Sequence, residues 1–180
     1  PVRPTTNTRT LLKMNCETGQ VNKVQDESNN SNDATIVGTP TFEASRLYLL
    51  SATQGPANPG ATSEASAATN VPALQVKLNA KGAPETVNVN SIKLQFSGSG
   101  DDDTDFAAGG VKVYRDVNAN GALEEGTDLL LITSNGPTSD NGTLTVNTSG
   151  QTIASGDSTI WLVVVTFNSN AEVGETYQVS

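Results

Sequence analysis

The stretch Val111-Lys-Val-Tyr-Arg-Asp-Val-Asn-Ala-Asn-Gly-Ala-Leu-Glu-Glu-Gly-Thr-Asp-Leu-Leu-Leu-Ile132 decides the fold class of this chain. Val111 and Val113 alternate with polar residues, and the apolar run that ends at Ile132 is soon followed by the turn residues Ser134-Asn-Gly-Pro137. Alternation and short apolar runs bounded by turn residues are typical of β-strands. Neither flank has a helical period, so the polar residues between them are predicted to form a loop that joins two strands.

The loop places oxygen-bearing side chains at alternate positions, followed by a glycine and then by carboxylates. Proteins hold Ca²⁺ with roughly six to eight oxygen ligands, and Asp, Asn and Glu supply oxygen without competing sulfur or imidazole. The glycine permits a sharp turn that brings both halves of the loop together. The alternative is a solvated Asn-Gly hairpin turn with incidental acids. The predicted calcium ligands are Asp116, Asn118, Asn120, Ala122 through its carbonyl, Glu124 and Asp128.

The spacing resembles the calcium loop of EF-hand and dockerin proteins, whose pattern is D-x-[DN]-x-[DN]-G-x5-E. The first half matches from Asp116 to Gly121, and Glu124 matches the ninth position. Thr127 occupies the twelfth position and departs from the pattern, although Asp128 can substitute if the loop has one extra residue. Because strands rather than helices flank the loop, the chain is not predicted to be an EF-hand.

Composition excludes several function classes. The net charge is −9, so nucleic acid is not an expected partner, because phosphate binding needs clustered Lys and Arg. The chain has no histidine, which removes Ser-His-Asp and Cys-His catalysis and histidine-based metal sites. Cys16 is the single cysteine, so no disulfide can form within the chain. No run of about 18 apolar residues is present, and no membrane span is expected.

Residues 1–44 differ from the rest and are predicted to form an N-terminal arm, a candidate donor strand, whereas residues 45–180 form the calcium-loop domain. Because the chain begins at Pro1 rather than Met, we expect a processed product of a secreted protein, or a trimmed chain. Extracellular or cell-surface localisation is expected, since calcium is abundant there.

Short strands with Gly, Asn and Pro between them indicate an all-β fold, a β-sandwich. The alternation changes phase at Asn90-Ser91, which predicts a bulge or a corner. The segment Thr159–Phe167 is apolar on both faces, so its outer face needs cover from the arm, another subunit or a loop of its own domain.

The acidic segment Asp101-Asp-Asp-Thr-Asp105 follows a glycine-rich turn. Its four carboxylates repel one another unless a positive charge compensates. The segment is therefore a candidate second cation site, which would complete a calcium site either with the 116–128 loop or with a neighbouring molecule, and the alternative is a hydrated loop. Its acidic members are Asp101, Asp102, Asp103 and Asp105.

Residues from about 45 to 180 resemble Ig-like β-sandwich modules of bacterial and archaeal surface proteins, in which a calcium-type loop joins two strands. The resemblance implies a Greek-key or jelly-roll-type sandwich in a secreted, non-enzymatic protein. One such module preceded by an arm is similar to subunits of extracellular filaments that assemble by strand donation. The segments that carry the resemblance begin at Asn70, Val89, Gly98, Val111, Asp140, Thr159 and Gly174.

Three functions compete. The first is a homopolymeric subunit of an extracellular filament or pilus, in which a donated strand caps an open sheet edge and calcium stabilises a loop. The second is an adhesion module for glycans or other cell surfaces, which the low aromatic content of 4% disfavours. The third, a hydrolase using paired carboxylates, has only the abundance of acids behind it, so no enzyme activity is expected. Three sequons mark glycosylation candidates, namely Asn29, Asn141 and Asn147.

Overall fold

The computed structural model describes residues 12–14, 23–26, 34–35, 50–83 and 85–180. Every regular element within these residues is a β-strand, which confirms the all-β class. No helix in the described part of the chain has the length and apolar character needed to span a bilayer.

The chain divides into two compact units, Pro1–Ser45 and Arg46–Ser180. In the first unit, three strands form an antiparallel sheet in chain order. They are β1 (Leu12–Met14), β2 (Lys23–Asp26) and β3 (Ala34–Thr35). Cys16 and the sequon at Asn29 lie outside the described residues, and so does most of the predicted arm. Its role as a donor strand therefore stays a prediction.

The second unit contains two further antiparallel sheets. The first has five strands in the order β4-β5-β10-β7-β8, and the second has three in the order β11-β6-β9. Side chains from both sheets share one apolar core, as expected for a β-sandwich. The strands are β4 (Ser51–Gln54), β5 (Val71–Asn79), β6 (Val87–Gly98), β7 (Phe106–Arg115), β8 (Leu129–Ser134), β9 (Thr143–Ile153), β10 (Ser158–Phe167) and β11 (Tyr177–Val179).

Strand β10 is central to the five-stranded sheet and is buried on both faces. Trp161, Val163 and Val165 point into the core shared with the three-stranded sheet. Leu162 and Val164, on the opposite face, are fully buried as well. Tyr114 and Leu123 pack against them, and Leu123 belongs to the loop after β7. A loop of the same domain therefore contributes to the cover that the sequence required for this strand.

The predicted change of phase at Asn90-Ser91 is a β-bulge. Val89 pairs with Gln151 and Ser91 pairs with Asn147, so Asn90 alone faces residues 148–150 of β9. The buried hydroxyl of Thr148 donates a 2.6 Å hydrogen bond to the carbonyl of Val89. This bond satisfies a main-chain group at the point where the ladder is interrupted.

Candidate cation loop

Residues 116–128 form the connection between β7 and β8. Arg115 pairs with Leu129 across the base of the loop, so its two ends are held together by neighbouring strands. The sequence prediction of a loop between two strands is confirmed.

The predicted ligand side chains in the first ten residues of the loop converge. The Glu124 carboxylate accepts hydrogen bonds from the side-chain amides of Asn118 and Asn120, the latter at 3.0 Å. The main-chain N–H of Asn120 lies 3.3 Å from Asp116 Oδ1 and 3.3 Å from Asn118 Oδ1. The four side chains therefore lie close together and carry carboxylate and amide oxygens, which is a donor set that fits a hard cation.

Asp128 has a different environment from the other predicted ligands. It is buried, and its two oxygens accept main-chain N–H groups from Val117 at 3.1 Å and Glu124 at 2.9 Å. Asp128 therefore fastens the end of the loop to its beginning. Ala122 is exposed, and its N–H donates to Asn120 Oδ1 at 2.9 Å.

The backbone of the loop enters the left-handed region at Ala119, with φ of 59°, and at Gly121, with φ of 74°. An alanine in this conformation is strained, and such strain persists only where the surrounding structure enforces it. At Gly121 there is also no room for a side chain, because an added Cβ would lie 1.8 Å from the carbonyl oxygen of Ala57. The segment that contains Ala57 therefore packs directly against the loop.

Gln75 on β5 contacts the loop at Asp116 and was not identified from the sequence. Its side chain is fully buried, and its Nε2 donates a 2.6 Å hydrogen bond to Asp116 Oδ2. The N–H of Gly121 reaches the same oxygen at 2.9 Å. Asp116 is itself only 3% exposed, so these donors compensate for the burial of its charge.

Within the described residues, no three His, Cys, Asp or Glu side chains come together as a metal-binding group. Any cation in the loop would therefore rely on amide and carbonyl oxygens in addition to Asp116 and Glu124. Such mixed oxygen sets are ordinary for calcium.

The acidic segment 101–105 is only partly hydrated. Asp101 and Asp103 are exposed, whereas Asp102 and Asp105 are buried. Asp105 Oδ2 accepts from the N–H of Asp101 at 2.8 Å and from the hydroxyl of Tyr177 at 2.7 Å. The Tyr177 hydroxyl also contacts Glu175 Oε2 at 2.7 Å, and burial together with the two carboxylates raises the pKa of that hydroxyl. The candidate second cation site thus has carboxylates that point in different directions rather than to one centre.

Asp102 is the least satisfied carboxylate of this segment. Its Oδ2 accepts from the N–H of Asn141 at 3.1 Å, whereas its buried Oδ1 has no hydrogen-bond partner. Burial raises the pKa of Asp102 to about 6, against the opposing effect of the Asn141 bond, and the charges of Asp140, Asp101 and Asp105 add to the rise.

The two described sequons differ in how their side chains are used. Asn141 is exposed, but its Oδ1 accepts from the N–H of Gly98 at 2.8 Å and its Nδ2 donates to Asp140 at 3.0 Å. Asn147 is exposed on β9, and its Oδ1 accepts from the N–H of Ser149 at 2.9 Å. Glycosylation at either position stays a prediction.

No protein-family model, curated protein or solved structure matches this chain, and its function is therefore inferred from its own residues.

Replacing Gly121 by alanine should destabilise the domain far more than the same change at Gly126. Both glycines have positive φ, which costs an alanine about 1 kcal/mol. An added Cβ at Gly126 meets open space, whereas at Gly121 it collides with the Ala57 carbonyl, so we expect a loss of about 3 kcal/mol there. Urea unfolding in the presence of a chelator measures both, and equal losses would contradict the packing of residues 55–58 on the loop.

Asp102 should make the domain less stable as the pH rises. The folded state binds the proton more tightly than the unfolded chain, whose carboxyl has a pKa of 3.8. The free energy of unfolding should therefore fall between about pH 4 and pH 6, by up to roughly 3 kcal/mol. Asp102→Asn should remove this decrease in the free energy of unfolding. In a buffer that contains a chelator, the substitution should stabilise the protein at pH 7 but not at pH 3.

The control for this experiment is Asp103→Asn, which makes the same chemical change at an exposed position of the same segment. Unfolding curves at several pH values should show little effect of that change. The wild-type chain should lose more stability between pH 4 and pH 6 than Asp102→Asn does. Equal losses would refute the assignment of this pH dependence to Asp102.

Proposed function

We propose that this chain is a calcium-stabilised structural module of an extracellular filament, whose copies join by adding a β-strand to a neighbour's sheet. An Ig-like arrangement of the sandwich and a cell-surface location belong to this proposal. The observation that carries it is the convergence of Asp116, Asn118, Asn120 and Glu124 in one strand-connecting loop.

The chemistry of the loop favours calcium over other metals. All its donor atoms are oxygen, and zinc or copper would select sulfur or imidazole ligands. The loop is also held by hydrogen bonds among its own residues, so the ligands are close to one another before an ion enters. Calcium bound there would replace the Asn118 and Asn120 amide contacts of Glu124 with ligand bonds and would fix the connection between β7 and β8.

Strand addition is supported by β8, which is an edge strand within the part of the chain that the structure describes. This strand ends the five-stranded sheet, and its residues Leu129 and Leu130 are 54% and 47% exposed. An exposed apolar edge strand offers both main-chain hydrogen bonds and side-chain contacts to an incoming strand. The donor we propose lies in residues 1–44.

Charge gives calcium a second role in assembly. The chain carries a net charge of −9, so copies repel each other at low ionic strength. Bound calcium lowers this repulsion, and filament formation should therefore respond to chelation as well as to salt.

A filament module is favoured over a glycan-binding module by the positions of the aromatic side chains. In the described part of the chain every aromatic residue is buried or half-buried. Four of them, Phe96, Phe106, Phe167 and Tyr177, contact one another inside the domain. Sugar binding by stacking needs exposed rings.

Removing one ligand charge should weaken calcium binding. Glu124→Gln should raise the calcium Kd by about tenfold or more, because affinity in such loops follows the number of ligand charges. Glu125→Gln removes the same charge from the adjacent exposed residue and should change the Kd much less. Isothermal titration calorimetry measures both, and an unchanged Kd for Glu124→Gln, or no binding by the wild-type chain, would exclude this site.

Polymerisation tests the other half of the proposal. The purified chain should form filaments visible by negative-stain electron microscopy, and deletion of residues 1–30 should leave monomers. Leu130→Lys should also prevent assembly, because a charge on an edge strand opposes pairing.

Val173→Lys provides the control, since Val173 is 97% exposed and lies outside the strands. Filaments of that variant should be normal. Unaltered filaments after the deletion would disprove donation by residues 1–30, and unaltered filaments of Leu130→Lys would disprove the use of the β8 edge.

A further inference from the structure

Gln75 is a buried polar residue whose main-chain N–H and carbonyl and side-chain Nε2 and Oε1 each have a hydrogen-bond partner, on the face of β5 that points away from the main core. It pairs with Leu162 of β10 and is fully buried. Burial of an amide beside an apolar strand is costly unless its polar groups are bonded. Its bonds lead to two places, the candidate cation loop and the segment 55–58.

Toward the loop, Gln75 fixes the orientation of Asp116. Its Nε2 and the N–H of Gly121 both donate to Asp116 Oδ2, at 2.6 and 2.9 Å. Oδ1 has a weaker donor, the N–H of Asn120 at 3.3 Å. The carboxylate is thereby turned so that Oδ1 is the oxygen directed at the other ligands.

Toward the chain preceding β5, Gln75 holds the segment 55–58 through three bonds. Its main-chain carbonyl accepts from the N–H of Gly55 at 2.7 Å, and its side-chain Oε1 accepts from the N–H of Ala57 at 2.8 Å. Its own N–H donates to Asn58 Oδ1 at 2.7 Å. An added Cβ on Gly55 would lie 2.2 Å from Oε1, so the segment rests directly on the amide.

The segment 55–58 follows β4 without interruption, and β4 is the strand at the other edge of the five-stranded sheet. The same segment touches the loop at Gly121 through the carbonyl of Ala57. The buried side-chain amide of Gln75 therefore hydrogen-bonds both to the cation loop and to the segment beside the edge strand β4, two parts of the chain that are distant in sequence.

We propose that Gln75 is a positioning residue of the cation loop, which aims Asp116 at the ion and couples occupancy of the loop to the order of the segment 55–58 beside β4. This inference rests on the proposed calcium binding at the loop. A bound ion would hold Asp116, and Asp116 accepts from the side-chain amide of Gln75. That amide accepts the N–H of Ala57, and the main-chain groups of Gln75 hold Gly55 and Asn58. Coupling of this kind is reciprocal. A change that frees the segment must therefore lower the affinity of the loop for the ion, by the factor by which the bound ion orders the segment.

The test uses Asn58 of the segment, whose Oδ1 accepts the main-chain N–H of Gln75 and which makes no hydrogen bond to the described residues of the loop. Asn58→Ala should raise the calcium Kd at least about fivefold, the lower range of such couplings. Asn79→Ala is the matched control, because Asn79 Oδ1 also accepts a main-chain N–H, that of Lys81 at 2.8 Å, at the C-terminal end of β5. That variant should bind calcium as the wild-type chain does.

Hydrogen exchange supplies the reciprocal measurement on the full chain. Calcium should slow exchange of the Gly55 and Ala57 amides at least about fivefold in the wild-type chain, and Asn58→Ala should remove most of this difference. If calcium binds the wild-type chain but does not slow these amides, or if both asparagine variants bind equally well, the coupling is refuted. A wild-type chain that binds no calcium refutes the proposed function instead.

A pH profile separates positioning from loss of stability. Gln75→Glu places a second carboxyl opposite Asp116, and the pair must share a proton. Calcium binding must then release that proton, so affinity should rise with pH by up to about tenfold per unit below the pKa of the pair, relative to the wild-type chain. A merely destabilising substitution would lower affinity without this slope, and an absent slope would overturn the role of Gln75.

Discussion

The burial of β10 on both faces is the constraint on which the rest of the domain depends. Three of its side chains fill the core between the sheets, and Leu162 and Val164 fill a second cluster behind it. Burying large apolar side chains contributes roughly 1.5–3 kcal/mol each, so the outer cluster cannot be left open to water without a large loss. Leu123 helps to close it, and the connection between β7 and β8 is therefore part of the hydrophobic structure.

This constraint explains where the polar groups lie. Gln75 and Asp116 are beside the outer cluster, in a part of the domain that excludes water. Their hydrogen bond is strong there because it is charge-assisted and because the surrounding dielectric is low. The loop is consequently anchored in two ways, by an apolar contact at Leu123 and by a buried polar contact at Asp116. An ion added to the loop would act on a connection that the core already holds.

Much of this arrangement follows from local sequence patterns. The alternation at Val111 and Val113 and the Asp-Asn-Asn-Gly spacing predict a loop between strands, and the phase change at Asn90 predicts the bulge. The role of Gln75 does not follow, because Lys77 occupies an equivalent alternate position on β5 and only the long-range register with β10 distinguishes the two. The short strand β4 lacks a clear alternation, and its pairing with β5 defines it.

The acidic segment 101–105 is a second place where local sequence patterns do not predict contacts with distant residues. A run of aspartates is usually hydrated, and no local pattern indicates that Asp102 and Asp105 turn inward while Asp101 and Asp103 do not. Their burial depends on groups that are distant in sequence, the main-chain N–H of Asn141 before β9 and the hydroxyl of Tyr177 on β11.

The close approach of Gly55, Gln75 and Gly121 has a consequence for how this sequence can vary. An added methyl at either glycine meets an atom that the Gln75 contacts hold in place, and a shorter residue at position 75 would leave the Asp116 carboxylate and the Ala57 amide without their partner. No single substitution among the three is neutral on its own. These distant positions are therefore expected to co-vary among descendants of a common ancestor, and a lineage that lost the amide would be free to lose the glycine at position 55 afterwards.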